Sequence, residues 1–86
     1  MSTMSNVFDS LMRRADGLMD RACLTGFTGY AHGALSSAQR AMSTASDAYE
    51  TVEAWRMVTD AEDLLARMLR GADVTRWGLA PGLYRA

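Results

Sequence analysis

The sequence predicts an all-α protein: a helical hairpin followed by a third helix, or by a kinked extension of the second, and then an extended C-terminal arm. Three observations carry this expectation. Apolar residues recur at spacings of three and four over the first quarter of the chain and again from residue 37 to residue 70. No run shows the strict alternation of a half-buried strand. Glycines cluster between the two periodic regions, and the only proline, Pro81, lies beyond both.

The first helix is expected over about residues 6–24. Phe8, Leu11, Ala15, Leu18 and Ala22 form one stripe, widened by Val7, Met12, Met19 and Cys23. Asn6 followed by Asp9 resembles a cap with an acid in the first turn. Residues 25–35 follow as a glycine-rich loop, because Gly26, Gly29 and Gly33 supply positions where φ can be positive. Ser36 and Gln39 have capping-box spacing, so helix is expected to restart and run over about 37–58. Its stripe of small residues, Ala38, Ala41, Ala45 and Ala48, enlarges at Val52 and Trp55 and offers a smooth face to the bulky stripe of the first helix. Beyond Trp55 the phase fails. Thr59 and Glu62 form another capping-box pair, so a third helix is expected over about 60–70, with Gly71 as its stop. Residues 72–86 form the arm, since Pro81 and Gly82 prevent continuous helix.

All of this fits one small domain over residues 1–86, too short for a second independent core. A domain this small buries only about 60% of its unfolded surface and usually needs a disulfide, a metal or a partner. Cys23 is the only cysteine, so no intramolecular bridge can form; His32 is the only histidine, and no metal-ligand spacing occurs. Association is the remaining source of stability.

Charge and motif content narrow the function classes. A formal charge of −1 without any basic run predicts no non-specific nucleic-acid binding. The absence of a long apolar stretch predicts no membrane span, and the absence of a leader-like N-terminus places the chain in the cytoplasm. The glycine cluster lacks the Gly-Lys-Ser/Thr ending of a phosphate loop, and its Gly26-Phe27-Thr28-Gly29 lacks the basic surroundings of an RNA-binding loop. Cys23 and His32 are the residue types of a nucleophile and a base, yet nothing organises them or the serines around a reacting centre. No catalytic, cofactor-binding or metal-ligating residue is therefore predicted, and no cofactor; the chain is not expected to be an enzyme.

Protein contact is what the composition does favour. Tryptophan, tyrosine and arginine dominate binding hot spots, and the tail concentrates them as Arg76, Trp77, Tyr84 and Arg85; Phe27 and Tyr30 add an aromatic pair in the glycine-rich region. Seven methionines supply adaptable apolar surface. The expected role is a small protein-binding protein that attaches to a larger machine and adapts or inhibits it. The alternative is a structural subunit that packs with copies of itself in an oligomer or virion. An acidic mimic of nucleic acid, built on the excess of acids between Asp47 and Arg70, ranks below both. All nine basic residues are arginine and isoleucine is absent, a bias that GC-rich codons produce in bacteria and their phages.

Overall fold

The structure is a computed structural model that describes the backbone of residues 3–71 and side chains from Val7 onward. Three helices follow in chain order: α1 (Thr3–Thr25), α2 (Thr28–Thr44) and α3 (Ala48–Leu69). The class is all-α. The C-terminal arm lies outside the described residues.

α2 is the central element, with α1 and α3 packed on it and scarcely on each other. Two short connections make neighbouring helices antiparallel, and two core clusters mark the two ends of the assembly. At one end Met19, Ala22 and Cys23 of α1 meet Ala31 and Ala34 of α2 and Ala61 and Leu64 of α3. At the other, Phe8 meets Ala41 and Ala54. Among the described residues eight of the twelve buried apolar ones are alanines, so the core is shallow and its quality depends on close backbone approach more than on side-chain bulk. Gly33 is the extreme case: a Cβ there would lie 3.3 Å from a Leu18 methyl group of α1.

Four boundaries differ from the sequence expectation. The backbone is already helical at Asn6, because α1 begins at Thr3 and not at a cap on Asn6. The glycine-rich segment is not a loop from 25 to 35: only Gly26, with φ of 74°, breaks the helix, and α2 starts at Thr28. Gly29 and Gly33 are helical; each costs about 1 kcal/mol relative to alanine, an amount that burial of Ala31, Ala34 and Ala38 on the same helix offsets. Ser36 and Gln39 therefore form no cap, being interior to α2.

The third and most consequential difference is the break between the last two helices, which falls at Ala45–Asp47 rather than near Thr59. Asp47 is the N-cap of α3: its carboxylate accepts from the Glu50 backbone N–H at 2.8 Å, while Glu50 Oε1 accepts from the Ser46 backbone N–H at 2.9 Å. These bonds satisfy donors that the helix start would leave orphaned, and Glu50 also adds negative charge to the first turn. Fourth, α3 runs unbroken through Thr59, whose hydroxyl donates to the Trp55 carbonyl at 2.9 Å within the helix instead of capping a new one. α3 closes at Gly71, where φ is 77° and the N–H bonds the Met68 carbonyl at 3.0 Å.

Two expectations on stability follow. Asp47→Ala should lower the unfolding free energy by about 1 kcal/mol in urea denaturation, the usual effect of removing a side-chain N-cap. The interior glycines of α1 and α2 should behave oppositely. Gly17→Ala, with open space around the new Cβ, should stabilise by about 0.5–1 kcal/mol, whereas Gly33→Leu should destabilise by about 1–3 kcal/mol through overpacking against Leu18. Equal effects at the two sites would contradict the close α1–α2 seam.

Candidate protein-contact surface

The cap at Asp47 fixes where α3 starts, and packing against α2 and α1 fixes its rotational phase, which decides which side chains face outward. Ala54, Ala61 and Leu64 are buried against α2 and α1. At about 100° per residue, Val52 and Trp55 then fall on the side away from these positions, and Tyr49 falls beside them. The exposures agree: Tyr49 is 74% exposed, Val52 47% and Trp55 59%. The small-residue stripe of α2 thus does not enlarge into Val52 and Trp55 as a continuous buried face, because the non-helical residues 45–47 reset the phase between them.

Beside this aromatic face lies a cleft of about 640 Å³ between α1 and α3, opened because those helices pack on α2 and diverge from each other. Met12, Arg13, Asp16 and Met19 form its α1 wall. Glu53, Arg56, Met57 and Asp60 form the α3 wall, and Trp55 and Thr59 complete the lining. Trp55 therefore belongs both to the cleft and to the exposed face, which makes the two one continuous surface. The three methionines provide a polarizable lining that adapts to different shapes. Charge alternates along the walls, three carboxylates against two guanidinium groups. Arg56 is held only loosely by Glu53, at 3.9 Å with both side chains substantially exposed, so it can turn toward a partner at little cost.

The residue types and their arrangement suit recognition by contact. Among the described residues no helix is long and apolar enough to cross a membrane, and no three histidine, cysteine or acidic side chains converge as a metal-holding group. Cys23 is buried in the core while His32 is exposed on α2, so the two occupy different environments.

Of the residues that the sequence singles out, Phe27 and Tyr30 are brought together, with ring centroids 5.6 Å apart at 80°, an edge-to-face pair. Phe27 is exposed at the α1–α2 corner and its ring covers Gly29; Tyr30 is half buried against the core. Arg76, Trp77, Tyr84 and Arg85 lie outside the described residues. Val52 and Trp55, expected as the large end of the stripe facing the first helix, are instead exposed, and Tyr49 beside them is exposed too. The signal that would have found them is the Asp47-x-x-Glu50 pattern, a helix-start motif that places the phase change before Trp55 instead of after it.

Comparisons with known protein families, with curated proteins and with solved structures return no significant match. The functional reading accordingly rests on this surface.

Because Tyr49 and Trp55 project from the core, replacing either by alanine should change the unfolding free energy by no more than about 0.5 kcal/mol. By contrast, Leu64→Ala, fully buried at the α2–α3 seam, should cost about 2–5 kcal/mol in the same denaturation experiment. A large loss of stability in Trp55→Ala would show that the aromatic face serves the fold.

Proposed function

We propose that this chain is a small, non-enzymatic protein-binding protein that attaches to a larger macromolecular machine and adapts or inhibits it. The observation that supports the reading is an inversion of side-chain size. Alanines make up eight of the twelve buried apolar residues among those described, whereas Trp55 and Tyr49 stand outward on α3, with methionines along the adjoining cleft. A monomer that stabilised itself by burial alone would place its largest apolar groups inside, where each contributes about 1.5–3 kcal/mol. Outside, the same groups are the types that anchor an interface: tryptophan, tyrosine and arginine at its centre, methionine where the fit must adapt.

The proposed site of action is the cytoplasm, in keeping with a single buried thiol and no second cysteine to oxidise with it. The arginine-only basic composition fits a phage or bacterial accessory protein. A structural role in a homo-oligomer or virion is the second reading, favoured by the regular spacing of Tyr49, Val52 and Trp55 on one helix. The nucleic-acid-mimic reading has less support, since Arg56 and Arg67 pair with Glu53 and Asp63 and break up the acidic array on α3.

Photo-crosslinking tests the proposal directly. Arg13→benzoylphenylalanine, on the α1 wall of the cleft, should give a discrete adduct with a different protein when irradiated in native cells. The same substitution at Arg40, exposed on α2, should not. No adduct at position 13, or the same adducts from both positions, would remove the cleft as a binding site.

A further inference from the structure

The cleft between α1 and α3 lies on the side of α3 from which the chain continues. Both helices pack on α2 in the antiparallel sense, so they run parallel to each other, and the cleft follows one flank of each. On α1 that flank carries Met12, Asp16 and Met19; on α3 it carries Glu53, Met57 and Asp60. At about 100° per residue the α3 flank continues through Leu64 and Arg67 to Gly71, which differs in direction from Asp60 by only about 20°. Gly71, with its positive φ, therefore ends the helix on the cleft side and not on the outer face.

We infer that residues 76–84 of the same chain, which lie beyond the described helices, fill the α1–α3 cleft, with Trp77 against Met19 and Met57.

Reach allows this placement. Along α3, Asp60 lies about 16 Å back from Gly71 and Glu53 about 27 Å, at 1.5 Å per residue. An extended chain spans about 3.3 Å per residue, which carries position 77 up to about 20 Å from Gly71 and position 84 up to about 43 Å. Trp77 thus comes level with Asp60 and with Met19, which packs in the same cluster as Ala61. Tyr84 and Arg85 have length to spare for the far end.

The chemistry matches as well. Methionine lines the floor of the cleft, and its sulfur makes favourable contacts with aromatic rings; the segment offers Trp77, Leu79, Leu83 and Tyr84. The rim sets Asp16, Glu53 and Asp60 against Arg13 and Arg56, whereas residues 74–86 carry Arg76 and Arg85 and no acid. Opposite net charges therefore meet. A cleft of about 640 Å³ is also of a size that encloses a compact ligand, about 300–1,000 Å³. Tethering supplies the rest: a segment joined to the bundle by a few residues has an effective concentration on the order of millimolar, so contacts too weak to hold a free peptide still dock it. On the reading that the cleft receives another protein, that protein must displace the segment, and its apparent affinity falls by the fraction of chains whose cleft is open.

Photo-crosslinking of the purified full chain tests the inference. Arg13→benzoylphenylalanine should give an adduct of monomer mass, in a yield independent of protein concentration, that peptide mapping assigns to residues 76–84. The same substitution at exposed Arg40 should not. Trp77→Ser should lower that yield at least ~3-fold while the circular dichroism spectrum is unchanged. In a Trp55→Phe background Trp77 is the only indole, and its fluorescence should be shielded from acrylamide in buffer and accessible in urea. No adduct, an adduct of dimer mass, one that maps outside residues 72–86 or one indifferent to Trp77→Ser overturns the inference. So does a Trp77 as accessible in buffer as in urea. In any of these cases a discrete adduct of position 13 with another protein in native cells would leave the protein-binding proposal standing, and its absence would remove that too.

Discussion

The packing of α1 and α3 onto the alanine-lined surface of α2 is the constraint from which the other features follow. Ala31, Ala34, Ala38 and Ala41 are fully buried, and Gly33 admits a Leu18 methyl group almost to its backbone. Small side chains let helix axes approach closely, and close approach recovers in dispersion contacts part of what the missing bulk would have supplied. The arrangement has two consequences. The interior is filled mostly by small groups, with Phe8, Met19 and Leu64 as its large ones, while Tyr49 and Trp55 lie outside it; and because both neighbours use α2, α1 and α3 touch each other little, and a cleft lies between them.

The short break at Ala45–Asp47 decides where those large groups go. Had the helix continued from α2 into α3, the stripe that runs through Ala38 and Ala41 would have carried Val52 and Trp55 toward the core. Three non-helical residues and an aspartate cap turn α3 so that Ala54, Ala61 and Leu64 face inward instead. The break before α3 lets packing choose a new phase for that helix, and the effect reaches Trp55, more than 10 Å along it at about 1.5 Å per residue. Surface charge plays a smaller part: the Glu53–Arg56 and Asp63–Arg67 pairs are exposed and each contributes about 0.3–0.5 kcal/mol at most.

A shallow core and an aromatic exterior make stability and association parts of one problem. A chain of 86 residues with an alanine-rich interior has a small margin, and covering Tyr49, Val52 and Trp55 would add apolar burial that the fold itself does not obtain. The adjoining methionine-lined cleft differs in kind. Its alternating charges and flexible side chains suit adaptable contact.

The residues by themselves determined the all-α class. Helical periodicity, the scarcity of strand patterns and the position of Pro81 are local properties, and local properties survive without knowledge of neighbours. The helix of Phe8, Leu11, Ala15, Leu18 and Ala22 was legible for that reason. Which glycine would break a helix was not legible, because Gly26, Gly29 and Gly33 have the same intrinsic freedom. Only packing distinguishes Gly33, seated against Leu18, from Gly26, with its positive φ. Competing capping patterns posed the same difficulty: Ser36/Gln39, Asp47/Glu50 and Thr59/Glu62 share one spacing, and tertiary contact made only the second a helix start. The outward turn of Trp55 was therefore decided by the tertiary structure, since the direction a side chain faces depends on the phase of its helix, and that phase is set by what the rest of the helix packs against.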